Sequence, residues 1–223
     1  MPTGVIELVI LAGIALFLLF RLRGVLGAKT GLEEQQVRRA PLPGPSRPSP
    51  PPVVAPDPQG VDADSAEVAE GDVAVGEALA AMRRAEPGFV PTEFMKGARQ
   101  AFEMILMAYE HGEIDTVRSF LAPDVHDGFA EAIEARRAAG YTVEARFVGV
   151  REARVVAARF DQATSEAEIA IRFTGEIISA VRDADHRVVE GDPTAVRRET
   201  DIWTFARRMG ASDPNWLLVS TGE

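Results

Sequence analysis

EAIEARRAAGYTVEARFVGV, Glu131 to Val150, holds the switch that decides the fold. Up to Ala139 the apolar residues recur at helical spacing; beyond Tyr141 they alternate. Val125, Phe129 and Ile133 share one side of a helix, while Glu131, Glu134, Arg136 and Arg137 occupy the other, with pairs such as Glu134 and Arg137 one turn apart. Gly140 ends that helix as a left-handed cap. Thr142 to Asp161 then runs at period two and reads as one long bent strand, or as two strands divided near Gly149-Val150.

Upstream the pattern stays helical. Thr92 is placed to cap a helix in which Phe94, Ala98, Phe102, Ile105 and Tyr109 recur at helical spacing. Met95, Leu106 and Met107 fall on its other faces, so this helix is expected to be heavily buried. His111-Gly112 ends it, a short helix covers Ile114 to Leu121, and Pro123-Asp124 opens the next. Downstream, Glu168 to Phe173 alternates strictly, and turns are expected at Asp183 to Arg187 and Glu190 to Pro193. Strands then follow at Asp201 to Phe205 and Trp216 to Ser220, separated by Asp213-Pro214-Asn215. Helices first and an antiparallel meander afterwards make an α+β domain, its helices packed on one face of a twisted antiparallel sheet. We place its start near Pro87-Gly88 and the domain at 88–223.

The remainder divides in two. Residues 1–27 read as a transmembrane anchor: Val5 to Phe20 carries a single charge, Glu7, and is followed by Arg21 and Arg23, with Lys29 beyond. Glu7 lies near the expected outer interface, where a carboxylate reaches headgroups. A signal peptide would put its cations before the apolar run. Cations after it predict a single-pass protein of the bacterial inner membrane, N-terminus outside and C-terminal domain cytoplasmic, with Arg21, Arg23 and Lys29 at the membrane surface. Residues 28–87 read as a linker. Nine prolines between Pro41 and Pro58 favour a stiff polyproline-like tether over an SH3-type ligand, and the Ala- and acid-rich Val61 to Met82 reads as disordered or weakly helical.

Composition removes several function classes. A net charge of −10 argues against a nucleic-acid partner, whose footprint is a basic face. The absence of cysteine excludes a disulfide framework, a thiol nucleophile and a Cys-based metal site. His111, His126 and His186 stand singly, with no HExxH and no other recognised ligand spacing. No GxSxG elbow is present. GVLGAKTG, Gly24 to Gly31, mimics a phosphate loop but has Ala28 where a glycine must precede the lysine, and no strand before it. Asp183, Asp185, Glu190 and Asp192 lack the oxygen spacing of a calcium loop. The expectation is a non-enzymatic protein without cofactor or metal.

Two readings of the aromatic residues remain. Phe94, Met95, Phe102, Met104, Met107 and Tyr109 crowd one helix opposite a sheet supplying Phe147, Phe160, Phe173, Trp203 and Phe205. They form an ordinary core, or else Phe94, Phe102, Met104, Tyr109, Phe173, Trp203 and Phe205 line an apolar pocket for a lipid tail or hydrophobic peptide. Alternation also puts Asp201 on the Trp203 face. A buried carboxylate there with a raised pKa would suit a small cone-shaped enzyme or a lipid-sensing module, whereas an ion pair with Arg172 or Arg198 would make it structural.

HGEIDTVRSFLAPDVHDGFAEAIEARRAAGYTVEARFVGV (His111 to Val150), DADHRVVEGDP (Asp183 to Pro193) and DIWTFARRMGASDPNWLLVSTG (Asp201 to Gly222) together resemble the bacterial TimA-like adaptor proteins. Those proteins share a domain with the forty-four-kilodalton subunit of the mitochondrial inner-membrane import translocase. The most specific pieces are Trp203-Thr204-Phe205 and Pro214-Asn215-Trp216-Leu217-Leu218; His186 stands where such a turn would carry glycine. The resemblance implies a cone-like domain with an open apolar pocket, association with acidic lipids such as cardiolipin, and a tethering role in protein translocation or membrane-protein assembly. The mitochondrial relative recruits an Hsp70-type chaperone through a region N-terminal to this domain. Proline-rich spacer occupies that place here, so the resemblance does not extend to the chaperone, and the protein partner is unnamed.

Overall fold

Asp62 and Asp72 each precede a helix and each accepts a backbone N–H three residues on, from Ser65 at 3.0 Å and Val75 at 3.1 Å. They start α1 (Ala63–Ala69) and α2 (Val73–Ala85). The computed structural model describes residues 62–222. The expected membrane span, its basic flank Arg21, Arg23 and Lys29, and the proline-rich tether lie outside the described residues. Among those described, no helix is long and apolar enough to cross a membrane.

These two helices correct the expected boundary. The stretch up to Met82 was expected to be linker, yet Val75, Leu79 and Met82 are buried in the core of the domain. The folded part therefore reaches back at least to Asp62 rather than starting at residue 88. Its acids look like solvating charge in a composition count, but two of them are helix caps.

α3 (Pro91–His111) starts on Val90 with Pro91 in its first turn, where a missing N–H costs nothing. Thr92 is not its cap: the Thr92 hydroxyl donates to Asp64 of α1 at 2.7 Å. Gly112, in the left-handed region at φ 73°, ends α3. A 3-10 helix (Ile114–Phe120) leads into α4 (Pro123–Ala138). Gly140 sits at φ 78°, and the N–H groups of Gly140 and Tyr141 return to Arg137 and Arg136, so the expected glycine cap is present.

The sheet has five antiparallel strands: β1 (Thr142–Asp161), β2 (Glu166–Arg182), β3 (Val188–Gly191), β4 (Arg197–Arg208) and β5 (Leu217–Thr221). Their order is β1-β2-β4-β5, with β3 beside the far end of β2. β1 is the single bent strand, turned by register shifts at Phe147/Gly149, Val150/Glu152 and Val155/Ala157. β2 runs well past the expected Phe173 because its inward alternation continues through Gly175, Ile177 and Ser179. β3 lies in the segment from which only turns were expected.

Both outer edges are covered. Arg99 of α3 donates to the Ala153 carbonyl at 3.3 Å, and His111 Nε2 donates to that of Ala145 at 3.2 Å, so α3 side chains meet the carbonyls of the β1 edge. At the β5 edge, Leu121 bridges Leu218 and Ala122 N–H donates to the Leu218 carbonyl at 2.9 Å. At the far corner of α3, Arg136 donates to the carbonyls of Tyr109 and Glu110, while Arg137 donates to that of Gly112. These two arginines add donors at the end of the helix, where the last carbonyls lack the full set of intrahelical partners.

Candidate functional site

Inward alternation of β2 and β4 sets Phe173 and Trp203 beside the α3 residue Phe102. The Phe102 and Phe173 rings stack at 4.5 Å with 16° between planes, and Trp203 lies 4.7 Å from Phe102. Phe102 comes this close because Gly175 beneath it has no side chain; a Cβ there would stand 2.9 Å from the ring. Phe205 continues the row to Phe94, which meets Trp216 at 4.7 Å.

Five of the seven expected pocket residues (Phe94, Phe102, Phe173, Trp203 and Phe205) are thus brought together as an interlocked spine. Phe102, Phe173, Trp203 and Phe205 are buried, filling the interior rather than lining an opening. Tyr109 belongs to a separate group, with the Phe129 ring at 5.1 Å and the Arg136 guanidinium 5.4 Å from its centroid. Met104 is exposed on the outer side of α3. Helical spacing finds the sheet-facing side of α3 at Phe94 and Phe102, but the narrow arc facing the sheet excludes Met104.

An open cleft of the domain lies elsewhere, and none of the seven residues lines it. It measures about 260 Å³ between α1, α3 and the β1 edge, with Val68, Met95, Ala153 and Val155 inside and Glu67, Glu70, Lys96, Arg99 and Arg154 around it. Arg154 is held by Glu70 at 2.9 Å, and Lys96 is paired with Glu93. The rim is exposed, and Lys96, Glu70 and Arg154 are ion-paired within the chain, while Arg99 is bonded to the Ala153 carbonyl.

Asp201 is on the Trp203 face as alternation requires. Its carboxylate accepts the Trp203 indole N–H at 3.0 Å, its neighbour Ile202 N–H at 2.8 Å and Gly222 N–H at 3.0 Å. It thereby ties the end of β5 to β4 and orients the Trp203 ring. Arg198 pairs instead with Glu176 at 3.0 Å. Near Tyr109, burial raises the pKa of Glu110; Arg136 opposes the shift and Glu199 adds to it. His111 and His186 are exposed and His126 is buried. Among the described residues no group of three or more His, Asp or Glu is arranged to hold a metal ion.

Sequence reasoning missed the most specific polar contact in the domain. Glu86, just past α2, puts both carboxylate oxygens on Arg207 Nη2 of β4 at 2.8 and 2.7 Å, and also accepts Gly210 N–H at 2.7 Å. Burial works upward on the Glu86 pKa, but the Gly210 N–H and the Arg207 guanidinium outweigh it and hold the carboxyl below its usual range. The signal was present: Val75, Leu79, Met82 and Glu86 stand at i, i+4, i+7 and i+11, one line along a helix. Alanines and acids around that line hid it.

The geometry can be set beside known proteins. Human mitochondrial import inner membrane translocase subunit TIM44 is 23% identical over 148 residues, which are 65% of this chain and 32% of that protein. The chain therefore spans about a third of that relative's length. Among solved structures, the intermembrane space region of the chloroplast protein ARC6 overlays with a TM-score of 0.38 at 9% identity, covering 57% of this chain and 94% of that one. The Tim44-like domain matches residues 75–223, from the first core residue of α2 through the whole sheet. That match takes in more than half of the sequence, and the chain belongs to the Tim44-like domain family.

Proposed function

We propose that this protein is a membrane-anchored, non-enzymatic adaptor that works as a tether in protein translocation or membrane-protein assembly. Val5 to Phe20 is its single span, with Arg21, Arg23 and Lys29 on the cytoplasmic surface of a bacterial inner membrane. The proline-rich segment sets the reach of the folded domain, and the domain binds a protein partner, with acidic lipids such as cardiolipin as a second contact. The observation that carries this reading is the Tim44-like match of the folded domain, a domain found in a translocase subunit. The three N–H groups on Asp201 favour a structural role for that carboxylate over a catalytic one.

The test is crosslinking and pull-down of the full-length protein in its own membrane, beside a form lacking residues 1–27. The full-length protein should sediment with membranes and capture components of a translocation or assembly machine, and the truncated form should be soluble. A full-length protein that is soluble, or that captures no such component, would overturn the adaptor reading. If Asp201→Asn abolished turnover of a small molecule with folding and partner capture intact, the protein would be an enzyme.

A further inference from the structure

α2 is attached to the domain by one apolar line and one polar latch. Val75, Leu79 and Met82 are 3%, 0% and 0% exposed, and the same line ends at Glu86 on Arg207. The Arg207 side chain is 9% exposed, its Nε has no hydrogen-bond partner, and among the described residues Glu86 is the carboxylate paired with it. Gly76 and Ala80 beside this line are also buried, and the rest of α2 is partly or fully exposed, with Val73 at 70%. No strand pairs through α1 or α2, and a five-residue connection, Glu86-Pro87-Gly88-Phe89-Val90, leads on to α3. α1 is held mainly by side chains: Asp64 on Thr92 of α3, Glu70 on Arg154 of β1, and Asp62 with Arg83 of α2. α3, by contrast, is fixed by stacked rings and by the Arg136 and Arg137 contacts.

We infer that the groove beneath α2 is a helix-receiving site, filled in this structure by the chain's own α2, and that a partner helix of the same chemistry takes its place. The inference rests on the adaptor reading for the existence of a partner, although the groove itself can be tested without one. The occupant is an amphipathic helix with large aliphatic side chains at i, i+4 and i+7 and a carboxylate at i+11. The apolar positions are those by which helices generally enter grooves. The carboxylate is required because releasing Glu86 leaves the Arg207 guanidinium largely buried and unpaired, which is strongly unfavourable. A helix with a lysine or alanine at that position is therefore rejected. α2 lowers the apparent affinity of any such partner by the fraction of time it spends in the groove.

The probe is a fluorescent synthetic peptide of Val73 to Glu86, titrated against the full-length protein. Glu86→Gln in the protein weakens the internal latch and leaves Arg207 free for the probe, so the peptide should bind this variant at least about tenfold more tightly than wild type. A probe carrying lysine in place of its own glutamate should lose that binding. Asp64→Cys with Thr92→Cys places two thiols where the hydroxyl and carboxylate now touch; oxidation should close the groove to the probe, and reductant should reopen it. Hydrogen exchange on the unaltered protein gives an independent measure: amides of Leu79 to Ala85 should exchange at least about tenfold faster than those of Ile169 to Phe173, as a separately opening unit. The inference is overturned if α2 exchanges at the rate of β2, or if the probe fails to bind Glu86→Gln. Probe binding with a blank pull-down would instead sink the adaptor reading alone.

Discussion

α2 and α3 lie in one domain and share a core, yet they are attached in opposite ways. α3 presses Phe102 between Phe173 and Trp203, seats it over Gly175, and has its C-terminal carbonyls satisfied from α4. Each contact is locked by another, so α3 cannot leave without exposing the spine. α2 offers three aliphatic side chains in a row and a carboxylate at the end. The same apolar burial thus makes a permanent core in one case and a removable one in the other. What separates them is whether neighbouring elements interlock.

Substitutions should divide along that line. The largest loss is expected from Phe102→Ala, at about 3–5 kcal/mol, because a fully packed ring is replaced by a cavity between two others. Denaturant unfolding should show a lower midpoint for the whole domain, with α2 and β2 amides losing protection together. Retention of the wild-type midpoint would mean that the spine is not the cooperative centre. Leu79→Ala should cost about 2–4 kcal/mol by the same mechanism, but should differ in kind. Its effect should appear as faster exchange confined to residues 63–85, with β2 protection little changed. Uniform loss of protection would erase the distinction between the two helices.

Filling the space under the spine tests it from the other side. A Cβ at Gly175 would meet Phe102 Cε1 at 2.9 Å and Cζ at 3.2 Å. Gly175→Ala should cost about 1–3 kcal/mol through overpacking. Combined with Phe102→Leu it should cost less than the sum of the two singles, because the smaller side chain makes room. A double-mutant cycle showing strict additivity would place the glycine's role elsewhere.

The contrast also explains what could be read in advance. The α3 helix and the strands holding Phe173, Trp203 and Phe205 were legible because their apolar residues are large and their periods run uninterrupted, whereas the register shifts of β1 left one bent strand or two open. Met104 was misplaced because periodicity reports a helix face only to within about one residue in the turn. The α1–α2 pair was illegible for a physical reason: short helices stabilised by aspartate caps and alanine packing carry the composition of a solvated spacer. The Glu86–Arg207 contact joins residues 121 apart in sequence; Glu86 ends the Val75-Leu79-Met82 line, but nothing local marks Arg207 as its partner. β3 has four exposed residues and follows the path of β2 rather than any pattern of its own.

The latch should respond to acid. Glu86 has a folded pKa below its unfolded value, so its contribution is complete above the unfolded value of about 4.3 and is lost as pH falls through the folded one. Glu86→Gln should destabilise α2 by about 1–2 kcal/mol near neutral pH, a figure reduced because a quarter of the Glu86 side chain reaches solvent. The gap in exchange of α2 amides between wild type and variant should narrow as pH falls below about 4.3. A gap that acid does not narrow at all would show that the latch does not act through charge.

The smallest effect expected is at His126, and its sign is opposite. The ring is buried against the 3-10 helix and the start of α4, with Nε2 2.9 Å from Asp115 and Nδ1 3.1 Å from Asp127. Two carboxylates can both accept only if both ring nitrogens carry protons, so the site selects the imidazolium. The Asp127 and Asp115 contacts raise the His126 pKa, opposed by burial and by the nearby Arg118. A raised folded pKa means that the stabilisation is complete below the unfolded value of about 6.5 and disappears as pH rises through the folded one. Both aspartates are largely exposed, which keeps the contribution under about 1 kcal/mol. Wild type should therefore exceed His126→Gln in thermal stability at pH 5.5, and the gap should close toward pH 9. A gap of equal size at both pH values would assign the histidine a packing role only, and the acid responses of the two ends of the helical layer would no longer oppose each other.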